Sequence, residues 1–214
     1  MQVYAVAHDG NGNFLLGRKN LRGYFFHTGT SASRTLGDII PRGQELNGGG
    51  LPALPGGRLE AGCTPEEGAF AEFLEETNLD LNRMHPQLQP GIYQQSAYAG
   101  VYFQVSAGTL DSAKQVVAAN LAFGVTAAQR VIAGQYVQGD YARLMIDFPD
   151  APMDNELEVC DLGNLTRDWP NIDKWKSNRS LSWYYYILLN LKKHSIDGAP
   201  LDGRVAWLDA EPGE

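Results

Sequence analysis

At 214 residues, with 43% apolar and 20% charged side chains, the chain is long enough to bury a full core in one domain, with or without insertions. Seventeen Lys and Arg against 25 Asp and Glu leave a net charge of −8. That surface repels nucleic-acid backbones and anionic membranes at long range, so a phosphorylated ligand needs a local basic pocket. Two cysteines, Cys63 and Cys160, imply no disulfide framework, and no stretch approaches the ~20 apolar residues of a membrane span. The start, MQVYAVAHDG, has neither a charged leader region nor a long apolar run, so the expected location is the cytoplasm.

In chain order, QVYAVA at 2–7 reads as a strand, HDGNGN as a turn and FLLGRK at 14–19 as the returning strand. Arg18 and Lys19 close that strand, either as a solvated end or as contacts to a phosphate or substrate. From Leu21 to Gly50 the chain reads as irregular, rich in glycine with Tyr24, Phe25 and Phe26 near its start. A connection of that length is expected to be a substrate loop or lid, or a surface insertion.

The most informative stretch runs from Gly56 to Leu79. Thr64 is a good N-cap, Pro65 suits the first helical position, and Glu67 completes a capping box. Asn78 is able to take the left-handed turn that ends a helix. At about 100° per residue, Phe70, Phe73, Leu74 and Thr77 share one side, and Glu72, Glu75 and Glu76 fall together on roughly the opposite side. Like charges at that spacing repel by a few tenths of a kcal/mol per pair. They form either a solvated face or a ligand set for a hard divalent cation, Mg²⁺ or Mn²⁺. Arg58, next to the glycines, reads as a surface residue or a pyrophosphate contact.

Beyond this helix, 79–90 reads as a loop or short strand and 92–107 as one or two strands. A helix capped by Asp111 or Ser112 is expected through about Phe123, and a second, capped by Thr126, through about Gly134. YARLMIDF at 141–148 reads as a strand, PDAPMDN as a loop and ELEVCDL as a last strand. A C-terminal helix is expected from about Ser180, with Leu181, Tyr184, Tyr185, Leu188 and Leu191 near one face, followed by a tail over 196–214. Its aromatic residues read as core or as rings able to stack on a nucleobase. The chain has no internal repeat, P-loop, zinc cluster or GxSxG elbow.

Leu54-Pro55-Gly56-Gly57, Glu60, Gly62 and Glu72-Phe73-x-Glu75-Glu76-x-x-Leu79 resemble the box of the Nudix hydrolase family, G-x5-E-x7-R-E-U-x-E-E-x-G-U with U bulky and apolar. The opening strand, turn and Leu15-Leu16-x-Arg18 resemble the start of many such domains. Three positions depart: Cys63 stands at the first glutamate, Ala71 at the arginine and Asn78 at the last glycine. In the family the arginine and that glutamate help hold the metal-binding carboxylates, so this chain keeps the ligands and lacks a support for them.

The resemblance implies an α+β Nudix fold, a mixed β-sheet sandwiched between helices, in a domain over 1–195 with insertions at about 21–50 and 110–137. It implies Mg²⁺ or Mn²⁺ held by Glu72, Glu75, Glu76 and the backbone of Gly57. It places Gly56, Arg58 and Arg18 toward the substrate, and an acid among Asp154, Glu156 and Glu158, with Glu156 as the choice, as a further ligand or general base. The implied reaction is hydrolysis of a diphosphate bond in a nucleoside diphosphate linked to another moiety. A Nudix domain that binds a nucleotide or a protein without turnover is the alternative that the departures leave open. Members of the family frequently form homodimers, and the assembly of this chain stays open.

Overall fold

A computed structural model describes residues 1–29, 33–84, 86, 90–198 and 202–203. Strands β1 (Gln2–His8) and β2 (Asn13–Lys19) form the expected hairpin. Its turn is organised by the Asp9 carboxylate, which accepts from the Asn11 and Asn13 backbone amides at 2.8 and 3.0 Å, with Gly10 and Gly12 at positive φ. The two strands pair only at His8 and Phe14 and then diverge. β5 (Pro52–Ala53) pairs with β2 and β6 (Gly56–Arg58) with β1, so residues 52–58 occupy the opening between them.

β8 (Tyr98–Gln104) runs parallel to β1 and antiparallel to β7 (Gly91–Gln94), while β9 (Leu157–Asn164) runs antiparallel to β2. The result is a mixed sheet, with short β10 (Asp202–Gly203) beside β7 at one edge. Helices cover both faces. On β8, Gly100 leaves room for Ile187 of the C-terminal helix, and the Tyr102 hydroxyl donates to the Ile187 carbonyl at 2.9 Å. On the opposite face, Phe103 meets Phe70 of α1 (Pro65–Thr77) edge-on at 5.9 Å. The main core joins Val3, Phe14, Phe73, Val101, Phe103 and Leu188.

Three expectations are corrected. Residues 21–50 are not irregular: β3 (Arg22–His27) and β4 (Gly37–Glu45) form a separate two-stranded antiparallel sheet. Glycines that read as loop signals make room for rings instead, since a Cβ on Gly37 would lie 2.5 Å from the Tyr141 ring. The two helices expected over 111–134 are one, α2 (Ala107–Ile132), capped by Ser106. The Thr126 hydroxyl, read as a cap, bonds back to the Ala122 carbonyl at 3.0 Å within that helix, and Gly124 lets it approach Pro152. Residues 141–147 form helix α3 (Tyr141–Asp147) rather than a strand, burying Tyr141, Leu144 and Met145 at i, i+3 and i+4. α2, α3 and the β3–β4 sheet enclose a second core of Phe25, Ile39, Val131, Tyr141, Leu144 and Met153.

After the short helix α4 (Trp169–Ile172), α5 spans Ser182–Asp197, into the segment read as tail. Leu181, Tyr184, Tyr185, Leu188 and Leu191 are buried as expected, and Tyr186 and Ile187 with them. Asp202 and Gly203 pair with Ile92 and Tyr93, while Trp207 and the remaining tail lie outside the described residues. Among the described residues no helix is long and apolar enough to cross a membrane.

Candidate functional site

Helix α1 is pinned at both ends by the residues that signalled it. Thr64 accepts from the Glu67 amide at 3.3 Å while the Glu67 carboxylate accepts from the Thr64 amide at 2.8 Å. Asn78 sits in the left-handed region at φ 52° and donates its N–H to the Leu74 carbonyl. With the helix phase set, Phe73 enters the core on one side and Glu72, Glu75 and Glu76 face the opening of the sheet on the other. A solvated acidic face is excluded: Glu76 is 1% exposed, and Glu72 and Glu75 are half-buried. The helix taken alone shows a polar side, but strands β1 and β6 and the turn that begins at Met153 pack against the helix.

The carboxylates meet few cations. Glu156 pairs with Lys19 at 2.7 Å, and Glu75 Oε1 stands 3.4 Å from His27 Nδ1. Asp154 accepts from the His27 backbone amide. Among the described residues, buried Glu76 Oε2 finds no hydrogen-bond partner. A Cβ on Gly57 would lie 2.6 Å from the Glu72 carboxyl carbon, so only glycine leaves that carboxylate its place.

The electrostatic result follows. Burial, reinforced by Glu75, Asp154 and Glu156, pushes Glu72 up to about 8. Burial, with Glu75 and Glu156, pushes Asp154 up to about 8 as well. Glu76 is driven well above the carboxylate range by burial, then by Glu156, Glu72 and Asp154. Lys19, whose charge burial disfavours, is nonetheless held above the usual lysine range by Glu76 and Glu156. The Tyr4 and Tyr184 phenols are raised by burial, with these acids adding to it, and stay neutral donors.

These shifts link stability to pH. Folded carboxyls near 8 bind protons that the unfolded chain, with carboxyls near 4, has released. Their stabilising contribution is therefore full below the unfolded values and is lost as pH rises through about 8. The metal-free protein should melt several degrees lower at about pH 8.5 than at about pH 5.5. Excess Mn²⁺, which needs ionised ligands, should raise the melting temperature more at the higher pH. Thermal melts at both pH values check this.

Beside the cluster lies a cleft of about 1340 Å³. Tyr4, Lys19, Gly56, Gly57, Arg58 and Glu156 line one side, and Lys176, Arg179, Trp183 and Tyr184 another. Gly56 and Arg58, named from the sequence, both line this cleft. Arg18 is not among its lining residues: it pairs with Glu158, its side chain 53% exposed. Trp183, 38% exposed, stacks on Tyr98 at 5.4 Å and 13°.

Sequence reasoning missed His27, Tyr4, Lys176 and Arg179. Only the C-terminal aromatic run hinted at this side of the cleft, and nothing local marked His27. Among the described residues no three His, Cys, Asp or Glu side chains already stand as a metal-binding group. Their donor set is nonetheless all oxygen, as hard divalent cations require, and Glu76 brings an unmatched buried oxygen to it. Convergence on one ion requires rotation of the glutamate side chains about their fixed positions on α1. The chain matches no protein-family model and no curated protein.

Proposed function

We propose that the chain is a Nudix-type hydrolase, acting on a diphosphate bond in a nucleoside diphosphate linked to another moiety. The observation that carries this reading is a buried, unpartnered carboxylate oxygen, on Glu76, among further acids beside a cleft lined by cations and aromatic rings. Unmatched buried charge is costly unless a counter-ion completes it. The sheet opened between β1 and β2 and helices on both faces agree with the Nudix fold that the box implies.

Glu72, Glu75 and Glu76, with the Gly57 backbone, would hold Mg²⁺ or Mn²⁺. When bound, such an ion neutralises charge on the diphosphate and lowers the pKa of a bound water. Arg58 and Arg179, both lining the cleft, bind the phosphates as hydrogen-bond donors. Lys19 holds Glu156 Oε2, orienting that carboxylate so that its Oε1 takes the proton from the attacking water. Trp183 offers an exposed ring face to a planar base. Trp183→Ala should therefore raise KM by about tenfold at unchanged kcat, since base–aromatic stacking amounts to about 1–3 kcal/mol.

The deciding experiment measures product release from a panel of nucleoside diphosphate derivatives, with and without Mg²⁺ or Mn²⁺. Metal-dependent cleavage of any member is the expected result and names the substrate. No cleavage of any member overturns the reading. A ligand-induced rise in melting temperature would then mark a nucleotide-binding module instead.

A further inference from the structure

We infer that the β3–β4 hairpin is a brace for the acidic site, with His27 positioning Glu75 and Asp154 and Arg34 fixing the end of α1. This rests on the metal-binding reading of Glu72, Glu75 and Glu76. An arginine at position 71 would reach Glu75 along the same helix, four residues on, but Ala71 has no such reach. Among the described residues, the side chain within ion-pair distance of Glu75 comes from another part of the fold: His27 Nδ1, at 3.4 Å. Its side chain is 1% exposed, so the imidazole is held in one place. The same residue's backbone amide donates to the Asp154 carboxylate. One residue of β3 thus touches two of the acids.

The rest of the hairpin makes that contact rigid. The amides of Met153 and Asp154 both donate to the Glu75 carbonyl, at 2.8 and 3.0 Å, so the turn carrying Asp154 is sewn to α1. The next residue sews the turn to β3: the Asn155 amide donates to the Phe25 carbonyl at 2.9 Å, and the Tyr24 amide donates to Asn155 Oδ1 at 3.2 Å. Phe25 is anchored in the second core. Arg34, between the two hairpin strands, donates to Asn78 Oδ1 at 3.0 Å and to the Phe148 and Ala151 carbonyls at 3.1 and 2.9 Å. One guanidinium therefore ties the last turn of α1 to the segment that leads into Asp154. The stretch that reads as a substrate loop or lid, or as a surface insertion, is thus tied to the framework of the acids.

Bracing has a functional consequence because it fixes the backbone positions from which the glutamates reach a shared ion. Partners behind metal ligands typically change affinity by about 10–100-fold. The test uses the full chain and isothermal titration with Mn²⁺ alone. His27→Leu fills the space without a donor, whereas His27→Gln keeps an N–H donor. His27→Leu should bind Mn²⁺ about 10–100-fold more weakly than the parent, and His27→Gln within a few-fold of it. Adding Ala71→Arg to His27→Leu should recover most of the loss, which repair of packing alone would not do.

Unchanged Mn²⁺ affinity in His27→Leu, or no recovery with Ala71→Arg, overturns the brace. Should His27→Leu fail to fold, Arg34→Gln removes the second strut without touching an acid, and unchanged Mn²⁺ affinity there overturns the proposal equally. A parent protein that binds no Mn²⁺ sinks the metal reading by itself. The brace is then decided by amide exchange at Met153 and Asp154: faster in His27→Leu than in His27→Gln supports it, and equal rates overturn it.

Discussion

Glu76→Gln is expected to remove nearly all turnover while leaving the metal-free protein at least as stable as the parent near neutral pH. Removing one preorganised electrostatic element from a reacting centre typically costs about 10²–10³ in rate, and Glu76 brings to the cluster a carboxylate oxygen that is buried with no partner among the described residues. The stability side has the opposite sign from most core substitutions. Glutamine matches glutamate in shape, so no cavity opens. It removes a carboxyl whose ionisation burial, Glu156, Glu72 and Asp154 all oppose, so folding no longer has to take up a proton there. Relief of that cost should appear as a rise in Tm of about 2–4 °C for each kcal/mol gained. The paired measurement is kcat/KM with Mn²⁺ and a metal-free melt at about pH 8. Unchanged turnover would rule out the proposed site. A fall in Tm would mean that attraction to Lys19 outweighs the repulsion of the other acids.

The second large effect separates two adjacent glycines. In Gly57→Ala the new Cβ meets the Glu72 carboxyl group, the far end of a flexible side chain. The carboxylate is able to swing away, so the fold should survive with a small loss of Tm. The site should not, because displacing a catalytic group by about 1 Å costs on the order of 10²-fold in rate. In Gly56→Ala the Cβ meets the Val3 carbonyl and lies 2.8 Å from Tyr4 Cα in the neighbouring strand. Paired backbone cannot yield in that way, so overpacking of about 1–3 kcal/mol or more is expected, with Tm falling about 2–4 °C per kcal/mol. Melts and kcat/KM on both variants give the contrast: Gly57→Ala inactive but stable, Gly56→Ala destabilised. Full activity in Gly57→Ala would show that Glu72 has no place at the reacting centre.

Local signals carried a good part of this structure. The capping box of Thr64 and Glu67 and the left-handed Asn78 bound α1 at Pro65 and Thr77, as the residues themselves indicate. Asp9 and the glycines around it close the β1–β2 turn, and the apolar spacing after Ser180 yields the buried face of α5. Each of these is settled within one helical turn or one hairpin, where the interacting groups are close in sequence. The elements misread share the opposite property. Gly23 and Gly37 look like loop residues until the Phe26 and Tyr141 rings are seen against them. Thr126 looks like a cap until α2 is found to continue through it, with Gly124 packed on Pro152.

The candidate site divides along the same line. Sequence spacing alone determined that Glu72, Glu75 and Glu76 share one side of a helix, because helical geometry fixes directions over four residues. Only the tertiary structure decided that this side is buried, that Asp154 and Glu156 join it, and that Arg18 turns instead to Glu158. It also decided that His27 and Arg34 stand where the helix has no support of its own. The burial of a charge and the identity of its neighbours depend on which distant segments cover it. That choice is made by packing the whole chain, and no single stretch of residues contains it.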